Sequence, residues 1–327
     1  MNDLALASFA AANDAHLVGE PRSARFAAFK ARFDERAELG RLRELGLRFL
    51  GRSCPSFPPL LRAIHDPPPG LFLRGGGEAE LLVRHAVAIV GARACSPYGR
   101  QVARRLGREL AAAGLVVVSG MARGVDAEAH RGALEGGGPT VAVLGCGIDR
   151  DYPAAHRALA AEIGAAGLIV SEYAPGVEPA PWRFPARNRI VAGLCAATVV
   201  VEARERSGAL ITCDFALEEG REVFAVPGEI TSSLSAGSNA LLRLGATPLT
   251  RGEDVLESFG LEVPAQPGAA VGEVASRVLG RIGEAAAGAD ELARATGLSA
   301  EQLAVALTEL ELAGVVEEED GVYRASA

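Results

Sequence analysis

Six short apolar runs punctuate the middle of this chain: Val87–Val90, Leu115–Val118, Thr140–Leu144, Leu168–Val170, Thr198–Val201 and Val223–Val226. Between them lie stretches with helical spacing, such as Pro97–Ala113, Val125–Leu134 and Gly208–Glu219. A run that is apolar at successive positions, rather than at alternate ones, describes a strand buried on both faces. Strands of that kind alternating with helices predict an α/β fold with a doubly wound, mostly parallel sheet and helices on both sides. Ligands of such sheets bind at the carboxyl ends of the strands. Here those ends carry Gly91-Ala92-Arg93, Ser119-Gly120, Gly145-Cys146-Gly147 and Glu202.

The flanks read differently. Residues 1–50 are rich in Ala, Arg and Leu with helical spacing and predict a short helical region. Residues 54–76, broken by Pro55, Pro58, Pro59, Pro67-Pro68-Pro69 and the glycines from Gly75, predict a wrapped, irregular lead into a core domain spanning 51–262. Gly260–Ala270 has the composition of a linker. Beyond it, helical stretches at about 271–283, 290–296 and 300–313 precede Val315-Val316-Glu317 and Gly321-Val322-Tyr323-Arg324, the order of a winged helix-turn-helix over 271–327.

Charge divides along the same boundary. The chain carries a net −8, and residues 271–327 hold eleven carboxylates against four arginines, a net of −7, leaving about −1 for the rest. The third helix of the module (Glu301, Glu309, Glu311) and its wing (Glu317-Glu318-Glu319-Asp320) would repel phosphate, so a protein-contact or stabilising role fits better than groove reading. The remaining residues can still carry a basic groove.

Several function classes are excluded. Lys30 is the sole lysine, so no phosphate-binding G-x-x-x-x-G-K-[ST] loop exists. Neither Gly91-Ala92-Arg93 nor Gly145-Cys146-Gly147 completes G-x-G-x-x-G, which argues against a dinucleotide cofactor. Cys54, Cys95, Cys146, Cys195 and Cys213 are dispersed without a C-x-x-C, and the five histidines form no ligand cluster; no metal is expected. No apolar run is long enough to span a bilayer and Met1-Asn2-Asp3-Leu4 is no signal peptide, so the expected location is cytoplasmic.

The segment Trp182-Arg183-Phe184-Pro185-Ala186-Arg187-Asn188-Arg189 stands out. Pro185 suits the first position of a helix, with Ile190, Val191 and Leu194 on its buried face. Arg187 and Arg189 would then lie in the first turn, where the dipole disfavours cations unless an anion binds between them and the free N–H groups. Arginines beside Trp182 and Phe184 suit single-stranded nucleic acid. Arginines paired with carboxylates, and aromatics serving as core anchors, account for the same segment. Asp126, Glu128 and His130 share one helix; Asp126 and His130, four apart, are expected to pair structurally rather than act as acid and base.

Taken together, these stretches closely resemble the DNA-processing protein A family (DprA, also called Smf). The matching residues are Val87–Arg93, Val118–Asp126 with Ala129-His130, Ala142–Asp149 with Tyr152-Pro153, Ser171-Glu172-Tyr173, Phe184–Leu194, Val201-Glu202-Ala203, Ser207–Thr212 and Ala225–Gly228, in order, within about Phe57–Ala246. The resemblance implies an extended Rossmann-like domain that binds single-stranded DNA without catalysis. It also implies a homodimer that protects incoming DNA and loads the RecA recombinase in natural transformation, and a C-terminal winged-helix extension. The DNA site it implies falls on Arg93, Ser119, Gly120, Arg123, Phe184, Arg187, Asn188 and Arg189, and Ser96 and Arg183 are expected to join it. Where the family has a basic residue a few positions before the phenylalanine, this chain has Pro181 and Trp182, with Arg183 nearest. The rival class is a nucleoside monophosphate phosphoribohydrolase on a related fold, but the P-G-G-x-G-T-x-x-E signature of those enzymes stops here at Pro227-Gly228-Glu229. A sequence-specific regulator using the winged helix is opposed by that module's charge.

Overall fold

The computed structural model describes residues 2–13, 23–261, 271–319 and 321–325. His16, residues 262–270 of the expected linker and Asp320 of the expected wing lie outside the described residues. The chain separates into two compact units, Met1–Val263 and Pro264–Ala327.

In the first unit, helices α1 (Asp3–Asn13), α2 (Ala24–Lys30) and α3 (Glu35–Glu44) precede strand β1 (Leu47–Gly51), and a short α4 (Pro59–Arg62) precedes β2 (Gly70–Arg74). The repeating part follows: β3 (Ala86–Val90), α5 (Pro97–Ala112), β4 (Val116–Ser119), α6 (Val125–Glu135), β5 (Thr140–Val143), α7 (Arg157–Ala166) and β6 (Leu168–Ser171). Then come α8 (Arg183–Gly193), β7 (Ala197–Val200), α9 (Gly208–Glu218), β8 (Glu222–Ala225), α10 (Ala236–Arg243), β9 (Thr247–Pro248) and α11 (Glu253–Ser258). Among the described residues these strands form one sheet in the order β1-β2-β6-β5-β4-β3-β7-β8-β9.

The six runs read from the sequence are all strands, and the reason is burial on both faces. Ala86, Ala88 and Val90 of β3 pack into one core with Ile190 and Val191 of α8 and Cys213 of α9. The alternate residues Val87 and Ile89 pack into a second core with Leu106 and Leu110 of α5 and Ala129 of α6. Every position is apolar because each face has its own helical layer.

Two expectations need correction. The stretch 54–76 is not wholly irregular: Gly70–Arg74 is a strand that pairs antiparallel with β1 (Phe72 opposite Phe49) and with β6 (Phe72 opposite Ser171). Its core Leu71-Phe72-Leu73 is fully buried, but prolines before it and glycines after it obscure the pattern. β1 likewise carries strand structure across position 50, where a helical region was expected to end.

Reversal of direction at β3 determines where a ligand can sit. Strands β4, β5 and β6 succeed β3 on one side, whereas β7, β8 and β9 lie on the other, all parallel to it from β6 through β9. The loops leaving β3 and β7 therefore diverge and open a crevice at their carboxyl ends, the topological switch point.

The second unit contains α12 (Glu273–Glu284), strand β10 (Ala287–Gly288), α13 (Ala289–Thr296), α14 (Ala300–Leu312) and the strands β11 (Val316–Glu319) and β12 (Val322–Ala325), in a sheet ordered β10-β12-β11. A capping box between Ser299 and Gln302 starts α14. Val278, Ile282, Leu292, Leu303, Leu307 and Leu310 form its core. This is a winged helix; the two-residue β10 was not anticipated.

Candidate nucleic-acid interface

A cleft of about 410 Å³ occupies the switch point. On one side run Val90–Ala94, leaving β3; on the other, Arg204 and Arg206–Ala209, leaving β7. Gly120, Ala122 and Asp126 lie beneath it, and Phe184, Pro185, Arg187, Asn188 and Val191 of α8 border it.

Of the residues singled out in the sequence, Arg93, Gly120, Phe184, Arg187 and Asn188 line this cleft. Arg93 is exposed, and its guanidinium carbon lies 5.8 Å from the centre of the Phe184 ring, in cation–π range. Phe184 is half-buried and stacks on the exposed Tyr152 at 5.1 Å with an interplanar angle of 29°. It also lies so close over Gly145 that a Cβ there would come within 2.8 Å of its ring. Asn188 donates from Nδ2 to the carbonyl of Gly208 at 3.1 Å, tying α8 to the loop after β7. Arg123, exposed, does not line the cleft but precedes Gly124, whose φ of 78° and close approach to the carbonyls of Ala92 and Arg93 leave no space for a side chain. The two arginine-bearing loops are thereby held side by side.

Arg187 has a different character from Arg93. It is 4% exposed, donating from Nη1 to the Gly120 carbonyl at 2.9 Å and to the Val143 carbonyl, and from Nε to Asn188 Oδ1 at 3.2 Å. A Cβ on Gly120 would meet its guanidinium at 2.5 Å, so only glycine permits this packing. Asp126 accepts from the backbone N–H groups of Gly120 (3.1 Å) and Ala122 (3.2 Å). Burial pushes the Asp126 carboxyl up, opposed by the guanidinium of Arg187 and by those two N–H donors. Asp126, Arg187 and Gly120 form a buried truss under the cleft.

The remaining sequence candidates do not reach it. Ser119 is fully buried and donates to the Ile89 carbonyl at 2.7 Å. Ser96 caps α5, accepting from Gly99 N–H, while its hydroxyl donates to the buried Glu202 at 2.5 Å. Arg189 is committed to Glu172 (2.7 Å) and Asp66 (3.1 Å). Arg183 is 7% exposed, packs against the rings of Trp182 and Tyr173 and donates to the Glu178 carbonyl. The reason for the difference is the start of α8. The helix begins at Arg183 with Trp182 as its cap, two residues ahead of expectation, which turns Pro185 into the third residue and removes Arg187 and Arg189 from the first turn. Proline is tolerated there because the third N–H of a helix is also unpaired.

Asp126 and His130 also differ from expectation: they do not pair. His130 Nδ1 meets Thr140 Oγ1 at 2.7 Å, and Thr140 donates onward to the Val117 carbonyl at 2.7 Å, so the ring N–H is the donor. Burial takes the His130 pKa down to about 3. Glu128 pairs with Arg131 at 2.5 Å.

Arg204 and Arg206, both exposed, and Tyr152 were not assigned a role in the sequence. The Arg-Glu-Arg run signals no more than a solvated loop until the topology brings it opposite Arg93.

Comparison with known proteins agrees with this architecture. The family model for DNA recombination-mediator protein A matches residues 48–260, and that for the DprA winged helix domain matches 262–321. The DNA processing protein DprA of Streptococcus pneumoniae is 48% identical over 203 residues, covering 62% of this chain and 71% of its own. The X-ray structure of the S. pneumoniae protein superposes with a TM-score of 0.67 at 39% identity, over 80% of this chain and 93% of that one. DNA processing protein A from Helicobacter pylori superposes with a TM-score of 0.59 at 32% identity, over 65% and 95%. No described helix is long and apolar enough to cross a membrane. A switch-point cleft in a Rossmann-like sheet, a C-terminal winged helix and these matches together place the chain in the DprA/Smf family of DNA-processing, recombination-mediator proteins.

Proposed function

We propose that this protein binds single-stranded DNA in the switch-point cleft, without catalysing a reaction on it. It protects incoming DNA and loads RecA recombinase during natural transformation or homologous recombination, as a cytoplasmic homodimer. The observation that carries the reading is the exposed Arg93 guanidinium beside the Phe184–Tyr152 ring pair at the cleft. A cation for the phosphate next to aromatic faces for a base is how single strands are held without sequence readout. Supporting it, the solved H. pylori relative is described for its single-stranded DNA binding mode.

In this reading Arg93, Arg123, Phe184, Asn188 and the Gly120 turn touch the strand, while Arg187, Ser119, Ser96, Arg183 and Arg189 hold the cleft's shape. Two cleft groups that an enzyme could recruit are otherwise engaged: Asp126 by two backbone N–H groups, Ser207 by the N–H of Ala209 at 3.3 Å. Burial raises the Cys146 thiol to about 11, so it stays protonated.

The test is equilibrium binding of oligothymidylate across salt concentrations, beside a duplex probe and a nucleoside monophosphate hydrolysis assay. The expected result is steep salt dependence, preference for the single strand, a shallower slope for Arg93→Ala and no hydrolysis. Turnover of the monophosphate would support the phosphoribohydrolase reading instead. RecA filament assembly on strands coated by a blocking protein, with and without this chain, tests loading.

A further inference from the structure

The geometry points to a second phosphate-binding wall in the cleft, formed by Arg204 and Arg206; this inference rests on the single-strand reading above. The loop after β7 faces the Arg93 loop across the switch point, and both of its arginines line the cleft. Glu205 between them is exposed but does not line it, so the cleft side of the loop carries two arginines without the intervening acid. Neither arginine forms an ion pair among the described residues. Both are thus available without breaking an internal contact, unlike Arg187 and Arg189.

The loop is also built to hold position. The Ala203 carbonyl accepts from Gly237 N–H at 2.7 Å, and a Cβ on Gly237 would come within 2.7 Å of that oxygen, so the α10 backbone packs directly on it. Ser207 N–H closes the turn on the Arg204 carbonyl at 3.0 Å. Asn188 bonds the next residue, Gly208, to α8. Guanidinium groups on a fixed frame lose less freedom on binding than a mobile arm does. With Arg93 on one wall and Arg204 and Arg206 on the other, the strand passes across the cleft, its phosphates gripped on both sides of a base held at Phe184. The predicted role of Arg204 and Arg206 is contact with successive phosphates, not base recognition.

The experiment measures oligothymidylate affinity against salt for the full chain and its variants. Each phosphate contact on a single strand contributes about 0.7 to the log–log slope, so Arg204→Ala/Arg206→Ala should reduce the slope by roughly 1.4. Arg204→Lys/Arg206→Lys, which keeps the charge, should retain it. Arg84→Ala, at the opposite, amino end of β3, should leave it unchanged. A double alanine variant with the parental slope, while Arg93→Ala lowers it, overturns the second wall and leaves the single-strand reading standing. Loss of slope in the lysine variant too would show that charge is not the cause and overturn it equally. Failure of the unmodified protein to bind the oligonucleotide would overturn both.

Discussion

Replacing Arg187 by Ala separates a structural arginine from a ligand-binding one. Its side chain is 4% exposed and serves two backbone carbonyls, Asn188 and, electrostatically, Asp126. Removing it leaves the Gly120 and Val143 carbonyls without their donor and takes a positive charge from the neighbourhood of a buried carboxylate. Leaving two buried carbonyls without a charged donor, at about 1.5–3 kcal/mol each, costs about 3–6 kcal/mol, which for a domain of this size corresponds to a fall in Tm on the order of 10 °C. The loss should also depend on pH. Burial already raises the Asp126 pKa, and without Arg187 it climbs further. A carboxyl whose folded pKa exceeds its unfolded value holds its proton more tightly when folded, so stability is retained in acid and lost as pH rises. The deficit of Arg187→Ala should therefore grow from roughly pH 4 to pH 7, and adding Asp126→Asn should recover part of it at pH 7. Thermal unfolding followed by circular dichroism reads both effects. A variant melting within about 2 °C of the parent with strand binding abolished would mean that Arg187 is a direct phosphate ligand and that the truss is misread.

Phe184→Ala should weaken oligothymidylate binding by roughly 1–3 kcal/mol, a lost stacking contact, with little change in Tm because the ring is half-buried; a large fall in Tm at unchanged affinity would make it a core residue. His130, folded pKa about 3 against an ordinary 6.5, contributes stability above pH 6.5 that is lost as pH falls toward 3, so His130→Gln should flatten this part of the acid-unfolding profile. An unchanged profile would show that His130 is not what titrates. Truncation after Ala270 should leave strand affinity unchanged or tighter, most visibly at low salt, since the removed residues carry a net −7 and repel phosphate; several-fold weakening in a folded truncation would instead give the winged helix a DNA contact of its own.

The layered architecture is legible along the chain. Strands such as Val87–Val90 announce burial on two faces by continuous apolarity, and the helices between them by 3.6-residue spacing; both signals are local and survive in one dimension. Gly120, Arg93 and Phe184 were legible too, as glycine and arginine at strand ends and an aromatic before a helix. Strand β2 was not, since its neighbours Pro67–Pro69 and Gly75–Gly77 dominate the local pattern, and its pairing with β6 spans about a hundred residues. Which arginines face solvent is settled by folding. Arg93, Arg187, Arg189 and Arg204 look alike in sequence, and their difference lies in partners far along the chain: Glu172 and Asp66 neutralise Arg189, and Gly120, Val143 and Asp126 enclose Arg187. Arg93 and Arg204 meet at one cleft because the sheet order places β7 beside β3. Charge is written in the sequence; whether it is spent on a carboxylate or left for a phosphate depends on contacts that exist only after folding.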